Sequence, residues 1–152
     1  MEYTETEGSN ADFLLLCRLL DEHLDRAVGG AKNRAQYIPY NLADGIENVI
    51  LAYDGKTVVG CAGLRRYGGE CAELKRVFVR AEYRNSGIGK ELITRIAERA
   101  KSLGFKKLIL ETGEILKEAT TLYRTCGFYK TENYPPYTET TDSFCMEKIL
   151  DY

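Results

Sequence analysis

The sequence predicts an α/β fold, strands and helices alternating along one chain, and three observations carry that prediction. A strand-like run, Glu73–Val79, is followed after a short turn by apolar residues at three- and four-residue steps: Ile88, Leu92, Ile93, Ile96, Ala100 and Leu103. A second apolar run, Lys107–Thr112, begins just after Gly104, so strand, helix and strand form a unit expected to cross over right-handedly with its strands parallel. Upstream, Val49–Tyr53 and Thr57–Leu64 flank Asp54-Gly55, a hairpin signal that adds antiparallel pairing.

Taken in order, Met1–Thr6 reads as an edge strand. Ser9 stands where it would cap a helix from about Asn10 to Leu24, whose apolar stripe is Phe13, Leu16, Cys17, Leu20 and Leu24. Val28–Arg34, glycine-bearing and polar, predicts a loop. After the hairpin, Arg65–Gly69 makes the turn into the Glu73 strand. Gly104 closes the long helix as a C-terminal glycine. Glu114–Cys126 predicts a further helix, with Ile115, Leu116, Ala119, Leu122, Tyr123 and Cys126 on one side and Gly127 stopping it. Phe128–Thr131 starts a strand, Tyr134-Pro135-Pro136-Tyr137 is a rigid extended stretch barred from a central ladder, and Phe144–Leu150 is the closing strand. With no repeat and no linker, one domain over residues 1–152 is expected.

Bulk properties exclude several classes. The 152 residues suffice for a core without metals or disulfides, and the composition, 44% hydrophobic and 29% charged, is that of a soluble globular protein. A net charge of −2 offers nothing to nucleic acid or an anionic membrane, and mildly favours a cationic or neutral substrate. No apolar run reaches eighteen residues, and the acidic start Met1-Glu2-Tyr3-Thr4-Glu5 is no signal peptide. The five cysteines include no C-x-x-C pair, and the single His23 lies in none of the zinc spacings, so neither a metal nor a disulfide framework is expected and a reducing cytoplasm fits better. Cys126 reads as a small side chain on an apolar helix face, and His23 as packing or surface polarity.

The stretch that carries chemistry is Arg84-Asn85-Ser86-Gly87-Ile88-Gly89-Lys90. Strand, glycine-bearing turn and helix aim unpaired backbone N–H groups at an anion, and the helix dipole adds about half a positive charge there. Two glycines remove the Cβ atoms that would keep a phosphate away from the backbone. This predicts a pyrophosphate cradle. A P-loop would need Ser or Thr after Lys90, where Glu91 stands, and a dinucleotide fingerprint would need a third glycine, where Leu92 stands.

The R-x-x-G-x-G spelling resembles the central motif of the GCN5-related N-acetyltransferases (GNAT), Q/R-x-x-G-x-G/A after the fourth strand. Glu73-Leu74-Lys75-Arg76 before it, and Leu122-Tyr123-Arg124-Thr125-Cys126-Gly127-Phe128 after it, resemble family landmarks at family spacing. The resemblance covers about Val49 to Leu150 and is strongest to uncharacterised bacterial members. It implies a mixed, mostly antiparallel sheet splayed between its central parallel strands and flanked by helices. It also implies acetyl-coenzyme A (acetyl-CoA) as cosubstrate and direct transfer to a primary amine of a small molecule or peptide. Family habit adds exchange or pairing of the final strand across a homodimer.

Residue by residue, the resemblance assigns the cofactor to the cradle Asn85, Ser86, Gly87, Ile88, Gly89 and Lys90 and to the backbone of Phe78 and Val79, which would pair with pantetheine as a pseudo-strand; Arg84 would add a charged phosphate contact, a solvated surface arginine being the alternative. Ala119 matches a family alanine. The asparagine usual three residues earlier is here Leu116, which leaves one contact to be replaced, with Thr112 or Lys117 as candidates. Glu73, eleven residues before Arg84, has the spacing of the catalytic base; a structural ion pair with Lys75 or Arg76 is the alternative, and Glu111 is the backup carboxylate. Strand alternation would place Glu73, Lys75, Val77 and Val79 on one face, with Leu74, Arg76 and Phe78 on the other. Tyr123 has the place of the general acid that protonates the leaving thiolate, against the plainer reading of a core tyrosine. Tyr37, Tyr40, Asn41 and Tyr137 are weaker candidates for the acceptor pocket, packed aromatics being the competing account. A non-catalytic CoA-binding module would keep the cradle without needing Glu73 or Tyr123, and both are present.

Overall fold

The computed structural model describes residues 1–27 and 45–150. Their strands are β1 (Glu2–Thr6), β2 (Ile46–Asp54), β3 (Thr57–Gly68), β4 (Cys71–Val79), β5 (Lys107–Gly113), β6 (Tyr129–Thr131) and β7 (Ser143–Ile149). The helices are α1 (Ala11–Ala27), α2 (Ile88–Ser102) and α3 (Lys117–Thr125). The strands form one sheet in the order β1-β2-β3-β4-β5-β7-β6, antiparallel throughout except for the β4–β5 pair. The mixed, mostly antiparallel sheet implied by the resemblance is present. The Val28–Arg34 loop and the candidates Tyr37, Tyr40 and Asn41 lie outside the described residues.

Both faces of the sheet are covered, which is why the centres of β2 (Val49–Ala52) and β3 (Val58–Leu64) run apolar instead of alternating. Val49, Leu51, Val58 and Cys61 pack with Phe13, Leu16, Cys17 and Leu20 of α1. Ile50, Ala52, Val59 and Ala62 pack on the opposite face with Ile88, Leu92, Ile93 and Ile96 of α2.

Several boundaries differ from expectation. The cap of α1 is Asn10, not Ser9: its Oδ1 accepts from the amides of Asp12 (2.8 Å) and Phe13 (3.1 Å), while the Ser9 hydroxyl donates to Glu7. Asn10→Ala is therefore expected to cost about 1 kcal/mol in urea denaturation, and Ser9→Ala much less. Strand β3 continues through the expected Arg65–Gly69 turn, because Arg65, Arg66 and Gly68 find ladder partners in Glu73, Ala72 and Cys71. Helix α3 begins at Lys117 instead of Glu114, since the Glu114 amide is held by the Asp142 carbonyl and Ile115 is exposed. The Tyr134–Tyr137 stretch is not extended. The Tyr137 amide bonds the Tyr134 carbonyl at 2.7 Å, closing a turn that carries both rings towards β4. Strand β7 lies between β5 and β6, so pairing of the final strand across a dimer would first require β6 to leave.

Helices α2 and α3 both end in the same glycine device. Gly104 (φ +91°) and Gly127 (φ +95°) take the left-handed conformation. The amides beyond them, of Phe105 and Phe128, return to the carbonyls of Ala100 and Tyr123.

Candidate active site

The site is made by a parallel pair that stops short. Cys71, Ala72 and Glu73 pair with Lys107, Leu108 and Ile109, and there the ladder between β4 and β5 ends. Residues 74–79 of β4 and 110–113 of β5 diverge, each still held by its outer neighbour, β3 or β7. The gap exposes backbone donors and acceptors of β4 that can take an extended ligand as a strand would be taken. Glu73 stands at its apex.

A β-bulge in β4 determines which side chains reach the gap. Cys61 and Gly63 of β3 face Phe78 and Lys75, so Arg76 and Val77 together stand opposite Ala62, and Arg76 adopts φ +57°. The extra residue breaks the simple alternation expected for this strand. Ala72 and Leu74, and beyond the bulge Val77 and Val79, belong to the α2 face, whereas Phe78 packs with α1 and Arg76 contacts α1. Glu73 and Lys75 thus share a face with Arg76 and Phe78, not with Val77 and Val79. The bulge is well supported: the Arg76 guanidinium donates to the Cys17 carbonyl (2.8 Å) and pairs with Asp21 (3.0 Å), and the buried Cys61 thiol donates to the Arg76 carbonyl (3.1 Å).

Glu73 is 5% exposed. One of its oxygens accepts from the Tyr134 hydroxyl at 2.6 Å, and Tyr137 also hydrogen-bonds the carboxylate. The Lys75 ammonium donates to the Tyr137 hydroxyl at 2.9 Å. Burial pushes the Lys75 pKa down, opposed by the negative charges of Glu73 and Glu111. Burial and then the charge of Glu73 push both tyrosine pKa values well up, so both phenols keep their protons at neutral pH. Glu111 is partly buried on β5 beside Cys145. Leu108 and Leu110 face α2, so alternation turns Glu111 to the Glu73 side of the sheet.

Tyr123 comes from the opposite face. Its ring meets Phe128 edge-on, with centroids 6.0 Å apart, and the Phe128 amide bonds the Tyr123 carbonyl, so the ring contact and the helix-ending glycine turn are one motif. The hydroxyl bonds to none of the described residues. Burial, then the charge of Glu111, raises its pKa, leaving a phenol that is protonated and available as a donor.

The cradle lies beyond the end of β4. Asn85 (φ +60°) and Gly87 (φ +87°) both take the left-handed conformation, and the Ser86 hydroxyl donates to the Tyr83 carbonyl. Gly87 occupies the cap position of α2 with no side-chain cap, and the first helical bond runs from the Glu91 amide to the Gly87 carbonyl, so the amides of Ile88, Gly89 and Lys90 have no intrahelical partner. The two glycines meet different surroundings within the chain. A Cβ on Gly87 would meet open space, so that glycine is required for its dihedral, whereas a Cβ on Gly89 would come within 2.9 Å of Leu122, so that one lets α3 approach α2. Arg84 donates from Nε to the Val79 carbonyl (2.9 Å) and lies over the Phe78 ring at 5.5 Å. The Val79 carbonyl is thus already held from within the chain. His23 approaches the same ring, at 6.4 Å between centroids; burial lowers its pKa, with the positive charges of Arg84 and Arg26 adding to the effect. Thr112 is buried on β5, and Leu116 and Ala119 are partly buried at the start of α3.

Sequence reasoning missed Tyr134 and the bond from Lys75 to Tyr137. The available signal was a pair of tyrosines around two prolines, which a compact turn can direct inward together. Among the described residues no three His, Cys, Asp or Glu side chains are grouped to hold a metal ion, and no helix is long and apolar enough to cross a membrane.

A sheet opened between its parallel strands, with unpaired amides at the start of the helix that follows β4, marks the class of acyl-transferring α/β enzymes. The sequence profile of the Acetyltransferase (GNAT) family matches residues 17–128, and the chain belongs to that family. It is 34% identical to an IAA acetyltransferase of Azospirillum brasilense, over 86% of this chain and 88% of the relative. It is 37% identical to an uncharacterized N-acetyltransferase of Schizosaccharomyces pombe over 51% of this chain, and there it spans only about half of the relative, 48%. Among solved structures, an acyl-CoA N-acyltransferase from Klebsiella pneumoniae superposes with a TM-score of 0.80 at 22% identity, covering 99% of this chain and 97% of that one. The PaiA N-acetyltransferase of Thermoplasma acidophilum, solved in complex with coenzyme A, gives 0.72 at 20% identity, covering 98% and 99%.

Proposed function

We propose that this acetyltransferase moves the acetyl group of acetyl-CoA to a primary amine of a small molecule or peptide, directly, within a ternary complex. The observation that carries the reading is the divergence of β4 and β5 beyond Glu73 and Ile109, with the uncapped start of α2 beyond the end of β4. Bound acetyl-CoA supplies an activated acyl group as a thioester. The amides from Ser86 to Lys90 suit its pyrophosphate, and the open edge of β4 near Phe78 and Val79 suits its pantetheine amides. Because Arg84 already holds the Val79 carbonyl, its charge is positioned at the mouth of the gap and is not a freely moving surface charge. Thr112 and Ala119, close to the start of α3, complete the proposed cofactor wall.

An amine must lose a proton to attack, and a thiolate must gain one to leave. In this reading Glu73 accepts the first, with Glu111 as second carboxylate, and the Tyr123 hydroxyl gives the second. The two groups approach the gap from opposite faces of the sheet, which keeps the proton acceptor and donor apart. Tyr137, 2% exposed, accepts from Lys75 beside Glu73 and in this reading belongs to the wall behind the acceptor. Within the same proposal the chain is one domain over residues 1–152, located in the cytoplasm, where its free cysteines would stay reduced.

Thermal unfolding with acetyl-CoA, coenzyme A, ATP and NAD in parallel tests the cradle. At a hundredfold excess over Kd, either coenzyme form is expected to add about 2.7 kcal/mol of stability, and ATP and NAD far less. No response to either coenzyme form would sink the proposal. A panel of polyamines, aromatic and alkyl amines, aminoglycosides and short peptides with free amino groups, read by thiol release from acetyl-CoA, then identifies an acceptor.

A further inference from the structure

The Glu73 carboxylate is enclosed. It is 5% exposed, with Tyr134 donating to Oε2 at 2.6 Å, Tyr137 bonding it as well, and the Lys75 ammonium bound to Tyr137. The phenols crowd the approach of an amine to the Glu73 oxygens. Of the phenols on the carboxylate, Tyr137 is 2% exposed, whereas Tyr134 is only partly buried. Tyr134 is therefore the more exposed of the two phenols bonded to the carboxylate.

Tyr134 is also held as a relay would need to be. Its ring stands edge-on between Tyr67 (5.1 Å) and Tyr137 (5.3 Å). Tyr67 donates to the Pro135 carbonyl at 2.8 Å. Asn133, the preceding residue, accepts from the Cys145 amide (3.2 Å) and donates to the Tyr137 carbonyl (3.2 Å), which also accepts from Thr140 (2.8 Å). The segment from 133 to 143 is thereby tied to β7 on one side and to Glu73 on the other.

Resting on the reading of Glu73 as the base, we infer that Tyr134 carries the proton from the acceptor amine to Glu73. The phenol oxygen takes a proton from the substrate ammonium while its own O–H proton passes to Oε2 of Glu73. One N–H bond and the original Tyr134 O–H bond break; new O–H bonds form on Tyr134 and on Glu73. The products are a neutral amine, a neutral tyrosine and a protonated glutamic acid. The tyrosine never holds a full negative charge, which its buried setting beside Glu73 would disfavour.

The test compares Tyr134→Phe, Glu73→Gln and the double variant, using acetyl-CoA and the panel amine that gives the fastest thiol release. Tyr67→Phe serves as a control for the ring stack. Each of the two single changes is expected to lower kcat/KM for the amine by about a hundredfold. The double variant should fall no more than about twofold further, since both groups act in one transfer. Stabilisation by acetyl-CoA should be unchanged in all of them. Activity within threefold of wild type in Tyr134→Phe, with Glu73→Gln inactive, would overturn the relay and leave Glu73 as a direct base. Full activity in Glu73→Gln would overturn the base reading itself. A second measurement needs no variant. In mixtures of light and heavy water the wild-type rate should bow downwards, as two protons in flight require, and a linear dependence would overturn the relay.

Discussion

Tyr123→Phe is expected to lower kcat by about 10²–10³-fold while leaving the acetyl-CoA dissociation constant unchanged, the signature of a group that acts only as the leaving thiolate forms. The substitution keeps the ring that meets Phe128 and removes only a hydroxyl that bonds to none of the described residues. Stability should therefore change by less than about 0.5 kcal/mol. Single-turnover kinetics would separate the chemical step from binding. A kcat within threefold of wild type would return Tyr123 to the role of a core tyrosine and move the proton source to water. The position of this phenol depends on the end of α3: Gly127 in the left-handed conformation lets Phe128 fold back over Tyr123, so the helix stop and the Tyr123 ring are one piece of local structure.

The second large effect is on stability, at the bulge. Arg76→Ala is expected to cost about 2–3 kcal/mol in urea denaturation. The change removes a guanidinium whose side chain is 4% exposed, together with its bonds to the Cys17 carbonyl and Asp21. Loss of one partner of a fully buried pair costs about 3–5 kcal/mol; Asp21, 47% exposed here, can return to water, which reduces the loss. Arg76→Gly removes the same contacts but also the Cβ that is strained at φ +57°, so it should be more stable than Arg76→Ala by about 0.5–1 kcal/mol. The comparison isolates backbone strain from the ion pair. Equal stability of the two variants would mean that the bulge relaxes once the arginine is gone. In that case acetyl-CoA binding should weaken with it, because Phe78 and Val79 would no longer present the same backbone edge to the gap.

Local rules made much of the molecule legible in advance. Gly104 and Gly127 closed their helices where a C-terminal glycine should, Asp54-Gly55 joined β2 to β3, and the three-and-four spacing from Ile88 to Ala100 is the buried stripe of α2. Turn dihedrals and helical periodicity depend on a few adjacent residues, so a single sequence carries them. The R-x-x-G-x-G turn, with its unpaired amides at the start of α2, was readable for the same reason.

What the sequence could not determine are the contacts that join distant segments. Nothing in Glu73–Val79 announces a bulge at Arg76. It exists because Arg76 finds Cys17 and Asp21 on α1 and because the Cys61 thiol satisfies its carbonyl, partners from 15 to 59 residues away along the chain. That one inserted residue exchanged the faces of Val77 and Phe78 relative to Glu73. Likewise, two tyrosines around Pro135-Pro136 looked like an extended connector until the fold brought β3, β4 and β7 together, where Tyr134 reaches Glu73 and Tyr137 reaches Lys75. By itself the sequence determined most of the elements, the Asp54-Gly55 hairpin, the glycine helix ends and the uncapped start of α2. Only the tertiary structure decided where the paired strands part, which face each β4 side chain occupies and which phenols surround the carboxylate, because a buried polar group takes the nearest partner that packing supplies, not the nearest in sequence.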